Sequence, residues 1–406
     1  MESCRPVHLL AITATRFPQG EAAANRLFHL ARAVCHGGGQ VTVVNDLSAV
    51  APHPAGPPGA HRITVVELGR PVRSRLLRRL LRAVRPFRIL LALRRTGFTA
   101  VLVPHTLLTA GLWATLRIAL RCPVTVDVTE RHDPHQFPRG RRDPRFWRHR
   151  WAGLLAARLA DGVIVPSRTL ERHYTARRVP VLRVPPLIDR AAFIPARPPS
   201  LADGPRLLYA GTPGGKDLLD TLVAAVAADP RPVHLVIAGL DRASATTASD
   251  LRPETLAAAA DRVEFTGKVP HRRILDLLAG SHCSVLLRPA GGYAEAGYPS
   301  KVPEALAAGC PMLANLTSDL AETLRDGHNS VVVDGTTPAQ IATAVDRIRA
   351  MTDRQWQALS EAAAEAAEPF DHRHWSEQLT AFLTGPRQVS QRPAAPALAS
   401  TVRESQ

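Results

Sequence analysis

Short apolar runs recur along this chain, and most are separated by stretches whose apolar positions return every third or fourth residue. "VHLLAIT" predicts a first β-strand, "AANRLFHLARAVCHGGG" a helix ended by glycines, and "VTVVND" the next strand. "ITVVEL", "AVLVP", "PVTVDVT" and "DGVIVPS" continue the series, and "VLRVPPLID" leads into "PARPPSLADGP" (195–205). Proline locks φ and favours extended chain, so this stretch predicts a linker. A second series follows: "RLLYAG", helix 215–228, "VHLVIAG", helix 252–260, "VEFTG", helix 271–279, "CSVLLRP", helix 301–309, "PMLAN", helix 318–325, "SVVVD" and helix 337–349. Apolar strands alternating with helices predict parallel sheets covered on both faces. The expected class is α/β, with two Rossmann-like domains, 1–195 and 205–369, facing a central cleft. "FDHRHWSEQLTAFL" predicts a further helix after a break at Pro369, and the polar, Pro- and Ala-rich tail 386–406 predicts disorder.

Charge narrows the partners. The 406 residues carry 51 Lys and Arg against 35 Asp and Glu, a net charge of +16. Nucleic acid, an anionic membrane surface or an anionic substrate would each match it. Aromatic content is 5%, and no RNP-like strand, helix-turn-helix or zinc-finger spacing is present, so no nucleic-acid partner is expected. No run of 18 apolar residues predicts a transmembrane helix, and the N-terminus reads as a strand, not a signal peptide. Five scattered cysteines with no CxxC predict reduced thiols, a cytoplasmic setting and no metal site. Residues 71–95 hold nine Arg and no acidic residue, with Leu76, Leu77, Leu80, Leu81 and Val84 on one helical face. That pattern predicts an interfacial helix on an anionic membrane, peripheral on its inner face; a solvated basic helix or a polyanionic acceptor would use the same charge.

Only three of the 51 basic residues are Lys: Lys216, Lys268 and Lys301. An ammonium is a compact point charge that the broad guanidinium fork does not replace in a tight anion pocket. "LLYAGTPGGKDLLDTL" reads as a strand, a Gly-rich turn and a helix with Lys216 in its first turn, a setting that holds phosphate. "AGYPSKVPEALAAGCP" (296–311) starts a helix at an expected Ser300 N-cap and places Lys301 and Glu304 on one face of its first turn. Lys301 with the helix N-terminus suits a diphosphate, and Glu304 suits ribose hydroxyls. The plainer reading of the same residues is a capped helix with an i,i+3 ion pair.

The stretches "YAGTPGGKDLLDTLVAA", "VEFTGKVPHRRILDLLAGSHCSVLLRP" and "AGYPSKVPEALAAGCPMLANLTSDLAETLRDGHNSVVV" together resemble retaining glycosyltransferases of the GT-B fold, family 4, over roughly 205–350. "ANRLFHLARAV", "ADGVIVPSRTLERHY" and "VPPLIDRAAF" resemble the family's N-terminal half more weakly. The resemblance implies sugar transfer from a nucleotide-sugar donor with retention, without metal or cofactor. It implies Lys216, Lys301 and Glu304 as catalytic, with Gly20, Gly211, Thr212, Gly215, Arg288, Gly297, Tyr298, Pro299 and Ser300 around the donor. His105, Asp127, Glu130 and His132 are acceptor or sugar candidates at strand ends. It also implies that the helix at about 370–385 returns to the first domain. One departure stands out: where the family signature has a first Glu, this chain has Ala296, with Glu295 one residue off. Two alternatives share the fold: a nucleotide-sugar epimerase and a catalytically silent binder of nucleotides or anions. The sugar, the nucleobase and the acceptor are not encoded in any motif.

Overall fold

The computed structural model describes residues 6–13, 17–18, 22–45, 62–67, 97–105, 120–193, 200–213, 217–259, 262–289 and 291–385. The basic stretch 71–95, the tail from 386, and the candidate residues Gly20, Gly215 and Lys216 lie outside them. The chain divides into two compact units. One runs up to Leu187 and takes in the chain again from Asp371; the other is Ile188–Phe370. The division therefore falls ahead of the Pro-rich stretch. Ile188 explains why: its amide donates to the Phe370 carbonyl at 2.9 Å, and its side chain is buried in the second unit's core.

The first unit is built on a seven-stranded sheet, β1 (His8–Thr13), β2 (Gln40–Asn45), β3 (Ile63–Glu67), β4 (Ala100–Pro104), β5 (Val124–Asp127), β6 (Gly162–Val165) and β7 (Val181–Arg183). Among the described residues the order is β3-β2-β1-β4-β5-β6-β7, all parallel. One face is packed by the helix Ala22–His36 through Leu27, Leu30 and Val34, and by the helix Ser376–Thr384 through Leu379, Phe382 and Leu383.

The second unit carries β8 (Arg206–Ala210), β9 (His234–Ala238), β10 (Val263–Gly267), β11 (Cys283–Leu286), β12 (Met312–Ala314) and β13 (Ser330–Val332), in the parallel order β10-β9-β8-β11-β12-β13. Alternate residues of a strand face opposite ways. Accordingly Leu207 and Tyr209 join a core with Leu222, Val226, Ile341 and Ile348, whereas Leu208 joins Val302, Ala305, Leu306 and Phe370 on the other face. Helices on both faces leave strands without a polar side, which is why they read as unbroken apolar runs.

Several elements depart from the sequence reading. The helix expected at 215–228 begins at Leu219, because Asp217 turns its carboxylate toward the strand ends instead of capping. The stretch 318–325 is a 3₁₀ turn, Ser318–Glu322, entered through Ser318 at φ 55°. A short helix, Gly292–Ala296, sits in what reads as a loop. The helix Asp353–Ala366 has no counterpart in the sequence reading, although Thr352 and Gln355 form a capping box at its start. Ser300 does not cap with its side chain: its backbone is already helical at φ −64°, ψ −22°. Among the described residues no helix is long and apolar enough to cross a membrane.

Candidate functional site

In an open parallel sheet, ligands bind beyond the carboxyl ends of the strands where the strand order reverses. In the second unit that point lies between β8 and β11, which are adjacent although two strands separate them in sequence. Gly211 leaves β8 at φ 138°, and its amide donates to the Ala238 carbonyl at 2.9 Å. Gly239, at φ 106°, packs so closely that a Cβ there would lie 2.6 Å from the Gly211 carbonyl oxygen. Only glycine gives the backbone both conformation and approach here. A Cβ on Gly211 would in turn sit 3.5 Å from Lys301 Nζ, so the bare turn makes room for that ammonium.

Four side chains converge beside this turn. Asp217, with 2% of its side chain exposed, accepts from the Tyr209 hydroxyl at 2.5 Å through Oδ2 and from Arg288 Nε at 3.1 Å through Oδ1. Lys301 Nζ lies 3.7 Å from the same Oδ2 and 4.1 Å from the centre of the Tyr209 ring, a cation–π distance. Arg288 is fixed by its backbone, which exchanges hydrogen bonds with the Asn315 side chain at 2.9 and 2.8 Å. Burial, with the Asp217 charge next to it, pushes the Tyr209 hydroxyl far above its ordinary pKa, so it remains a donor. One buried carboxylate thus holds two cations at the strand ends, in place before any ligand arrives.

The loop before the Lys301 helix is tied down separately. Glu295 accepts from the Ser318 amide at 3.1 Å, Ser318 Oγ donates to the Gly297 carbonyl at 2.6 Å, and the Tyr298 hydroxyl meets Thr323 Oγ1 at 3.0 Å. Glu295 is therefore engaged with backbone, and Ala296 is fully buried. Pro299 is buried as well. Glu304 makes no ion pair with Lys301. Burial raises its carboxyl pKa, with the His271 charge opposing. Thr212 is exposed at the mouth of the Gly211 turn.

The candidates of the first unit divide into two kinds. Asp127 is committed: Arg26 Nε reaches both of its oxygens at 3.0 Å, and Arg26 Nη1 donates to the carbonyls of Val184 and Pro185. His105, His132 and Glu130 gather instead with His149, which the sequence reading missed. His132 Nε2 is 3.6 Å from Glu130 and its ring centre is 4.0 Å from that of His149. Burial, with the neighbouring His149 and His132 charges, lowers His105 to about 4; burial, with His132 and Arg148, lowers His149 to about 4. Both are neutral imidazoles at pH 7. His105 Nε2 is buried and makes no hydrogen bond with a described residue.

Asp217, Tyr209 and Asn315 were also missed. Asp217 directly follows Lys216, and that adjacency was the available signal.

Family comparison covers both units. The profile described as Glycosyl transferases group 1 matches residues 204–350, and that described as Glycosyltransferase Family 4 matches 23–191. Curated protein sequences give no match. Among solved structures, sucrose-phosphate synthase from Thermosynechococcus elongatus is similar at 20% identity, covering 92% of this chain and 96% of its own, with TM-score 0.68. HepE of Anabaena, solved in complex with UDP and glucose, is 16% identical over 93% and 99% of the two chains, with TM-score 0.67. A glycosyltransferase from Rickettsia africae is 11% identical over 96% and 100%, also with TM-score 0.67. With a glycosyltransferase profile on each unit and a doubly wound parallel sheet beneath each, the chain is a glycosyltransferase of the GT-B fold.

Proposed function

We propose that this enzyme moves a sugar from a nucleotide-diphosphate donor to an acceptor with retention of anomeric configuration, in the manner of family 4, without a metal ion or resident cofactor. The observation that carries the reading is the Tyr209–Asp217–Arg288–Lys301 cluster at the β8/β11 strand ends. Breaking the bond between sugar and diphosphate leaves negative charge on the departing phosphate. Cations fixed in advance lower that barrier without reorganising during the reaction. Lys301 and Arg288 supply the charge in this account, and Asp217 with Tyr209 holds them. Lys216 is assigned the same role from its sequence context. A metal would duplicate this charge. With the leaving phosphate accepting the acceptor's proton, no separate protein nucleophile is needed.

Gly211, Thr212 and the backbone of 297–300 are assigned to the donor phosphates, and Glu304 to a donor hydroxyl. Its raised pKa suits a carboxyl that also donates. With Ala296 at the position of the missing Glu, and Glu295 held by Ser318, the donor is gripped chiefly through its diphosphate. Because HepE was solved with UDP-glucose, UDP-sugars are the first donors to test. The cluster of His105, His132 and His149 with Glu130 is assigned to acceptor or sugar hydroxyls. The setting we propose is cytoplasmic.

The test is slow donor hydrolysis or transfer across a panel of UDP-, GDP- and ADP-sugars in EDTA, with the product anomer read by NMR. Turnover of one donor, unchanged by EDTA and with retention, is the expected result. Binding without turnover of any donor would favour a silent binder, and inversion at C2 or C4 of the sugar an epimerase.

A further inference from the structure

The helix Pro144–Leu159 is apolar on two faces. Inward, it buries Phe146, Ala152 and Ala156. Outward, Trp147 and Trp151 are 44% and 53% exposed. Four residues apart, they stand on one ridge about 6 Å apart along the axis. Half-buried Leu154 continues the ridge, and exposed Arg148 and Arg150 flank it.

The charge around these indoles has one sign. Segment 138–151, "PRGRRDPRFWRHRW", holds six Arg, all exposed, and a single acidic residue. That residue, Asp143, is buried; it caps the helix by accepting from the Arg145 amide at 2.9 Å and pairs with the Arg145 side chain. Arg139, Arg141, Arg142, Arg148 and Arg150 make no ion pair with any described residue. The Trp147 indole N–H donates to the Arg141 carbonyl at 2.8 Å, which ties the helix to the Arg-rich turn Gly140–Arg142 before it. With its only donor satisfied inside the protein, the ring leaves water without an unmade hydrogen bond.

We infer that this face docks on an anionic lipid bilayer, with Trp147 and Trp151 entering the interface and the arginines meeting acidic headgroups. A polyanion such as RNA would match the arginines but leave two indoles on a convex helix in water. A bilayer interface accepts both, since indoles and basic side chains concentrate there. The face shares no residue with 71–95 or with the Lys301 cluster, and the inference does not rest on the proposed function.

The experiment is cosedimentation of the full chain with phosphatidylcholine vesicles, with and without added phosphatidylglycerol, at low and high salt. Binding should require phosphatidylglycerol and weaken sharply with salt, because headgroup attraction is screened over about 8 Å. Arg148→Gln with Arg150→Gln should weaken it about 25-fold, from about fivefold per arginine. Trp151→Ser should weaken it several-fold at unchanged charge, and should reduce quenching of tryptophan emission by brominated acyl chains. None of these side chains forms an ion pair or hydrogen bond with a described residue, so the melting temperature should not move. Equal binding to both vesicle types, or no binding, overturns the inference. So does wild-type binding by these variants, including the case where Arg78→Gln with Arg79→Gln alone abolishes it.

Discussion

The two sheets reverse strand order at equivalent places, yet their strand ends carry opposite chemistry. Beyond β8 and β11, Arg288 and Lys301 are held around one buried carboxylate. Beyond β4 and β5, His105 and His149 are held neutral by burial and by the neighbouring His132. The first arrangement is an ammonium and a guanidinium around a carboxylate, the chemistry we assign to a diphosphate. The second is built around buried imidazoles, the chemistry we assign to hydroxyls. One scaffold therefore supplies a place for chemistry twice, and the side chains alone decide which ligand each place favours.

The largest expected effect lies at the charged end. Lys301→Ala should lower turnover roughly 100- to 1000-fold, the scale for removing one preorganised charge donor, while circular dichroism stays native. A loss below tenfold would make Lys301 a structural residue. Next, Asp217→Asn removes the buried carboxylate that Arg288 and Lys301 share. Urea denaturation should show a loss of about 3 kcal/mol or more, as for breaking a buried pair. A smaller loss would mean that solvent reaches the cluster freely.

The two ends should also differ in pH response. His105 titrates near 4 in the fold and near 6.5 unfolded. Between those values the unfolded chain binds more protons, so stability is full above pH 6.5 and falls as pH drops toward 4. His105→Gln should remove about one proton from that difference, read from the pH dependence of the denaturation midpoint. Glu304 acts in the opposite sense. Its raised pKa means that the fold retains a proton the unfolded chain has released, so its contribution declines as pH rises above the ordinary glutamate range. Glu304→Gln should flatten that decline. A smaller effect is expected where the donor-side loop is anchored: Tyr298→Phe loses the contact with Thr323 Oγ1 and should cost about 1 kcal/mol.

The strands and most of their helices were legible because buried parallel strands are continuous apolar runs, as in "RLLYA" and "CSVLL". Lys301 was legible through its rarity. Its surroundings were not. Tyr209 is one more apolar position within a strand pattern, and nothing local shows that its hydroxyl meets Asp217 eight residues on. Asn315 reaches the Arg288 backbone across 27 residues. Ser300 has the composition of a cap without the backbone that capping needs, and Glu295 is drawn to Ser318 by a turn the periodicity does not reveal. Contacts between distant segments are absent from periodicity, and both strand-end clusters are made of them.

The most direct test is calorimetric titration of UDP, GDP and ADP, in EDTA, into the wild-type chain and into Lys301→Ala. One nucleoside diphosphate should bind the wild-type protein without metal and bind the variant at least tenfold more weakly, the loss of one charge-assisted contact to phosphate. Equal affinity for both proteins, or binding that appears only when a divalent cation is restored, would contradict this.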